Sequence, residues 1–319
     1  MVTFVNKLSF LTSLSRTLLV IAGPTAVGKT SLCVQLAKTL QTDVVSADSR
    51  QLYRELTIGT AKPTPAEMDG VRHHFINSHS ITELVSAGQY EREALALLDQ
   101  LFQNKDVVIL SGGTGLYINA VCYGLDEMPS TETALREQLM ARLQTEGLSV
   151  LQAELRYLDP VYAQTVDMQN VQRVVRALEV CLATGQPYSS FRRQEVAERP
   201  FRSVLVALDR PREELYERID QRMDAMLAAG LVDEVRSLLP YRAHNALQTV
   251  GYKEVFAYLD GTYNYEEMVR LLKRNSRRYA KRQLTWFRHQ GDFHWFSAED
   301  GEGIIEYLNR RTTPPGGSD

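Results

Sequence analysis

The chain has 319 residues, 44% hydrophobic and 24% charged, which suits one large or two modest domains and excludes a disordered chain. Thirty-six Lys and Arg stand against 39 Asp and Glu, so a net charge of −3 supplies no global attraction to nucleic acid or membrane; any basic surface is local. Cys33, Cys122 and Cys181 are odd in number and far apart, which fits neither a disulfide framework nor closely spaced zinc ligands. Three buried small side chains in a reducing cytosol are expected.

The opening MVTFVNKLSFLTSLSRTLLVIAG has a lysine followed by apolar residues, the outline of a signal peptide. Arg16 interrupts the apolar run, however, and LLVIAG leads straight into a glycine-rich turn that cleavage there would destroy. TLLVIA (17–22) reads instead as a central parallel strand, and residues 1–16 as a flexible extension. No run of 18 apolar residues occurs, so no membrane span is expected.

In GPTAVGKTSL, Gly23, Gly28, Lys29 and Thr30 fit G-x-x-x-x-G-K-[ST]. A strand, a tight turn through Gly23, Pro24, Thr25, Ala26, Val27 and Gly28, and a helix N-terminus at Lys29 aim backbone N–H groups and a helix dipole at an anion. Lys29 adds a full charge, and the Thr30 hydroxyl is the expected Mg²⁺ contact. Leu32, Leu36 and Leu40 continue the helix.

DVVSAD (43–48) and DVVILSGG (106–113) are further candidate strands, with a helical pattern through Leu95, Leu98 and Leu101 between them. Asp48 falls at the carboxyl end of its strand, the edge where ligands of open α/β sheets collect. Position alone leaves three roles open: proton acceptor, water-mediated magnesium contact, or cap of the next turn. An ATP-hydrolysing site normally has an apolar strand ending in Asp, but VVILSGGTGLY offers Ser111, Gly112 and Gly113. A small-molecule kinase can dispense with that acid, and a diphosphate can equally be a leaving group on carbon.

From about residue 122 the pattern becomes helical: STETALREQLMARLQTEG, SVLQAELRYLD and NVQRVVRALEVCLATG, the first and third stopped by Gly147 and Gly185. FRSVLVALDR then restores a strand, followed by a long helix from Pro211 towards Gly230. The expected architecture is an α/β, P-loop NTPase-like parallel sheet with helices on both faces, split into 17–121 and 196–311 by a helical insertion at 122–195. Near the end, Asn264 and Glu267 resemble a capping box, opening a helix that carries Lys273, Arg274, Arg277, Arg278, Lys281, Arg282 and Arg288. Arg274, Arg278 and Arg282 share a face. Trp286 and Phe287 read as core aromatics more readily than base-stacking platforms, and His73 and His74 as structural. The tail RRTTPPGGSD is expected to be flexible.

Seven stretches in order, GPTAVGKTSL, SADSRQLYRELTIGTAKP, RHHFINSHSITELVSAGQYEREA, LSGGTGLYINAV, NVQRVVRALEV, LQTVGYKEV and AKRQLTWFR, resemble the bacterial tRNA dimethylallyltransferases, also called tRNA isopentenyltransferases. The resemblance spans residues 17 to about 297. It implies transfer of a dimethylallyl group from dimethylallyl diphosphate to the exocyclic amino nitrogen of the adenosine 3′ of the anticodon. Asp48 is then the base, Thr25 touches the diphosphate near the breaking bond, Lys29 and Thr30 hold phosphates and Mg²⁺, and Arg222 in ERIDQRM reaches the diphosphate. Spacing alone would leave Arg222 an exposed helical residue.

The same resemblance assigns tRNA contacts to Asp48, Ser49, Arg50, Gln51, Thr114, Arg136, Gln172, Arg173, Val174, Val175 and Arg176. It extends them to Leu247, Gln248, Thr249, Val250, Gly251 and Tyr252, with Lys281 and Arg282 from the basic run. The helical insertion becomes an anticodon stem-loop clamp. No zinc module follows the core, as in the bacterial form, and a cytoplasmic monomer is expected. The alternatives are an adenylate dimethylallyltransferase acting on free AMP or ATP, a small-molecule kinase, and a non-enzymatic RNA-binding module.

Overall fold

A computed structural model describes residues 16–192 and 196–312. The flexible extensions expected at 1–16 and 312–319 lie, but for Arg16 and Thr312, outside these residues. The chain divides into two compact units, one of residues 1–123 with 198–319 and the other of residues 124–197.

The first unit opens with β1 (Thr17–Ala22), α1 (Lys29–Leu40), β2 (Val44–Ser46), α2 (Pro65–Met68), β3 (His73–His74), α3 (Ala87–Leu101), β4 (Val107–Gly112) and α4 (Gly115–Tyr123). The second unit holds α5 (Thr133–Glu146), α6 (Leu148–Leu158), α7 (Pro160–Thr165) and α8 (Val171–Thr184). The first then resumes with β5 (Arg202–Asp209), α9 (Arg212–Ala228), α10 (Leu231–Ser237), α11 (Tyr252–Leu259), α12 (Tyr265–His289), β6 (His294–Ser297) and α13 (Gly301–Thr312).

Among the described residues the strands form one parallel sheet of order β3-β2-β4-β1-β5-β6. β1 is central and wholly buried because both faces are covered, as parallel sheets require. Its side chains alternate: Leu18, Val20 and Ala22 pack with Tyr90, Leu98, Ile118 and Phe256 on one face, Leu19 and Ile21 with Leu36, Leu215, Ile219 and Ile304 on the other. β1, β2 and β4 therefore end on one edge, where the glycine-rich turn, Asp48 and the Gly112–Gly113 pair emerge.

Several sequence expectations are refined. The strand expected over 43–48 is only Val44–Ser46, and Asp48 lies two residues beyond it. β3 and β6 were not legible; His73–His74 is a two-residue edge strand paired with Val44 and Val45, a structural role for both histidines. The capping box at α12 is half formed: Asn264 accepts from the Glu267 N–H, but the Glu267 carboxylate turns to Arg270. The second unit has its own core of Leu139, Leu151, Leu155, Val174, Val175 and Leu178. Asp159, fully buried, caps the additional helix α7 through the Tyr162 N–H and accepts from the Ser189 N–H and hydroxyl.

Candidate active site

The turn between β1 and α1 curls around its own lysine. Lys29 Nζ donates to the carbonyls of Gly23 (2.9 Å) and Pro24 (2.7 Å), and burial lowers its pKa from 10.5 to about 8. Ala26 holds a left-handed φ of 65° at the crest and Gly28 a φ of 118°, where a side chain would be strained. Arg218 Nε donates to the Ala26 carbonyl at 3.0 Å and Arg210 Nε to that of Val27 at 3.2 Å, so the outward carbonyls of the turn are held by arginines following β5. Neither arginine was singled out in the sequence.

Arg222 comes off the inner face of α9 with Leu215, Ile219, Met223 and Met226, and its Nη1 lies 3.4 Å from the Thr25 hydroxyl. Half-buried, it has its pKa lowered chiefly by desolvation and then by Arg218. Neither Lys29 nor Arg222 has a carboxylate in ion-pair reach among the described residues. Two desolvated cations balanced only at longer range, by Asp48 and, for Arg222, also by Glu67, are costly unless an anion completes the site.

Both line a cavity of about 850 Å³ that also takes in Thr30, Asp48, Arg50, Gln51, Ser111 and Tyr279. Asp48 Oδ1 accepts from the N–H groups of Arg50 (2.9 Å) and Gln51 (3.3 Å), so one oxygen caps the turn and fixes the carboxylate, leaving the other for the cavity. The capping and acid–base readings of Asp48 are compatible. Ser49 N–H donates to Thr114 Oγ1 at 3.0 Å, tying this turn to the start of α4. At two of the three positions where an acid could stand there is no room for a side chain: a Cβ on Gly112 would lie 2.1 Å from the Ala47 carbonyl oxygen, and one on Gly113 2.2 Å from Gln283 Nε2.

The donor set for a metal is sparse. Among the described residues no cluster of three His, Cys, Asp or Glu could hold one. The exposed Thr30 hydroxyl and the free oxygen of Asp48 fit Mg²⁺ arriving with a diphosphate, since this ion keeps several waters and takes few protein ligands.

The expected tRNA contacts divide. Arg50 Nη1 bonds the Asn245 carbonyl at 3.2 Å, and Gln51 Nε2 the carbonyls of Thr60 and Ala61, so both also brace the cavity wall. Gln248 is exposed, and Thr249 and Val250 line the cavity. The side chains of Val174, Val175, Leu247 and Tyr252 are fully buried, and the Tyr252 hydroxyl is spent on Glu234 at 2.7 Å. Gly251 is buried too, its N–H bonded to Glu254. In the second unit Arg173 is exposed, but Arg136 and Arg176 converge on the buried Glu179 at 2.7 and 3.2 Å, and Arg136 also donates to Gln172. In the basic run, Lys273, Arg277 and Arg288 pair with Asp224, Asp220 and Asp209, leaving Arg278, Lys281 and Arg282 exposed with no ion pair among the described residues. Phe287 is core, and Trp286 packs partly buried against it.

Sequence reasoning missed Gln283, Glu234 and Lys62. Glu234 accepts from the N–H groups of Thr57, Ile58 and Gly59, pinning the loop after β2. Lys62, its pKa lowered to about 8 by burial, holds the Tyr53 carbonyl and Asn77 Oδ1, each at 2.6 Å.

A P-loop on a parallel sheet, with unpaired cations and a fixed carboxylate around one cavity, defines an anion-activating enzyme of the P-loop NTPase-like class. The family model described as IPP transferase matches residues 51–290. A tRNA dimethylallyltransferase of Cytophaga hutchinsonii is 53% identical over 298 residues, covering 93% of this chain and 98% of that protein. The tRNA dimethylallyltransferase 1 of Bacteroides thetaiotaomicron is 49% identical, covering 92% and 95%. Among solved structures, the tRNA isopentenylpyrophosphate transferase of Bacillus halodurans matches with a TM-score of 0.67 at 39% identity, covering 93% and 96%. A eukaryotic dimethylallyltransferase acting on tRNA matches with a TM-score of 0.74 at 27% identity, covering 93% and 77%. The chain belongs to the IPP transferase family.

Proposed function

We infer that this enzyme transfers the dimethylallyl group of dimethylallyl diphosphate to the exocyclic amino nitrogen of the adenosine 3′ of a tRNA anticodon. The observation that carries the reading is the pair of unpaired cations, Lys29 and Arg222, sharing a cavity with Asp48. Such a pair suits a diphosphate, and the carboxylate suits an acceptor that loses a proton.

The adenine nitrogen is a weak nucleophile because its lone pair is delocalised into the ring. As it bonds to the prenyl carbon that carries the diphosphate, the carbon–oxygen bond breaks, the electron pair leaves with the diphosphate, and Asp48 takes the amino proton. Lys29, Arg222, the Thr25 hydroxyl and the backbone N–H groups of the turn offset charge growing on the departing oxygen. Thr30 and Asp48 would hold Mg²⁺, which would supply further charge neutralisation when bound. Met223, Met226 and Ile219 offer the prenyl chain an apolar wall. The target base has to leave the anticodon-loop stack, at a cost of a few kcal/mol that contacts to neighbouring nucleotides offset. The helical unit serves as the stem-loop clamp. The setting is cytoplasmic and the working form a monomer; among the described residues no helix is long and apolar enough to cross a membrane.

Incubating the protein with Mg²⁺, donor labelled in its prenyl carbons, and either unmodified tRNA or AMP tests the acceptor. Label in tRNA alone is expected; label in AMP alone assigns the enzyme to free nucleotides.

A further inference from the structure

Gln283 lies on the buried stripe of α12 formed by Met268, Leu272, Ser276, Ala280, Gln283 and Phe287, a neutral amide where packing alone calls for an apolar residue. Its two ends are both used. Oε1 accepts from the Thr25 N–H at 2.9 Å, and Nε2 donates to the Gly113 carbonyl at 2.9 Å. These partners fix the amide orientation, because a backbone N–H needs an acceptor and a carbonyl needs a donor. The bridge joins the phosphate turn after β1 to the loop after β4. One turn on, the Trp286 indole occupies the space a Cβ on Gly115 would need, so the helix is seated against the 113–115 loop at two levels.

The geometry points to Gln283 as a positioning residue for the transfer reaction: it holds the Thr25 N–H away from the anion cradle, so that Thr25 meets the leaving diphosphate through its hydroxyl, beside Arg222. A phosphate turn binds its anion through several of its backbone N–H groups. Here one is spent on a side chain, and the residue that carries it keeps its hydroxyl 3.4 Å from Arg222 Nη1. Methionine matches the shape of glutamine but makes neither bond. Glutamate keeps the acceptor for Thr25 and regains a donor for Gly113 only when protonated.

This inference rests on the prenyl-transfer reading, and wild-type transfer to tRNA in the same assay tests that reading separately: no wild-type transfer overturns the reading itself. Given transfer, Gln283→Met is expected to lower kcat by about 10- to 100-fold, the scale set by misplacing a reacting group by about an ångström. The KM for dimethylallyl diphosphate and the Kd for tRNA should stay within about threefold of wild type. For Gln283→Glu, the ratio of its kcat to that of wild type should climb as pH falls and the carboxyl gains its proton. Gly113→Ala displaces the amide without removing it and should give a kcat loss of the same order; it carries the test if Gln283→Met does not fold. Wild-type kcat in the folded variants, a loss confined to tRNA affinity, or a pH-independent Glu ratio overturns the assignment.

Discussion

The Nη1 atom of Arg222 lies 3.4 Å from the hydroxyl of Thr25, a long contact that leaves both groups turned to the cavity where the diphosphate is proposed to leave. Arg222→Ala and Thr25→Ala should each lower kcat more than they raise the donor KM. Losing one donor at a developing oxyanion costs about 10²- to 10³-fold. Because the two groups act at one spot, the double variant should lose less than the product of the single losses. Steady-state kinetics of the three variants check this.

Asp48→Asn should reduce kcat by about 10²- to 10⁴-fold while leaving diphosphate affinity nearly unchanged. Asparagine retains the oxygen that accepts from Arg50 and Gln51, so the turn survives. Asp48→Ala loses the base and the cap together, and should also lower the melting temperature. Unchanged turnover in Asp48→Asn rejects the carboxylate as base.

Lys29 gives a pH signature. With its pKa lowered to about 8 by burial, the free enzyme loses this charge as pH rises through 8, and diphosphate affinity should fall across that range. The stability effect has the opposite sign. Between about 8 and 10.5 the unfolded chain binds the proton that the folded chain releases, so Lys29 makes stability increase with pH there. Lys62, also near 8, adds a parallel increment. Lys29→Met should reduce this slope and abolish the affinity change; calorimetry across pH reads both.

Binding of tRNA should weaken with salt, with a log–log slope of about −0.7 per phosphate neutralised in single-stranded regions. Replacing Arg278, Lys281 or Arg282 by Ala should make the slope shallower by about that amount per phosphate contact. Replacing Lys273 or Arg277 should change it little, because their charges are spent on Asp224 and Asp220.

In the helical unit, Glu179→Gln should cost about 1–3 kcal/mol of stability, the range for disturbing a buried charge-assisted hydrogen bond. Thermal melting checks the cost. Loss of this carboxylate also releases Arg136 and Arg176 from their shared partner, so tRNA affinity should change in the same variant.

Local signals made the phosphate turn and the parallel core legible: the lysine-bearing glycine turn follows a β-branched run, and strands alternate with helical periods. Asp48 could be placed because the ligand edge of a parallel sheet follows from strand direction. Arg222 and Gln283 were harder, yet each left a trace, a polar side chain inside an apolar helical stripe: Leu215–Ile219–Arg222–Met226 in one case, Ala280–Gln283–Phe287 in the other. What they touch could not be read, because Thr25 lies 197 and 258 residues away from them. β3 escaped notice because two residues carry no period. The burial of Val174, Val175, Leu247 and Tyr252 was equally hidden, because a contiguous motif does not disclose which of its side chains build the core.

The proposed reaction requires that carbon, and not phosphorus, be attacked in the cavity of Lys29 and Asp48. Dimethylallyl diphosphate labelled with one isotope in the prenyl carbons and another in the terminal phosphate, incubated with the protein, Mg²⁺ and unmodified tRNA, tests it most directly. Carbon label should appear in the tRNA and all phosphate label should be recovered as inorganic diphosphate; phosphate label in the tRNA, or carbon label left entirely in the donor, would overturn attack at carbon.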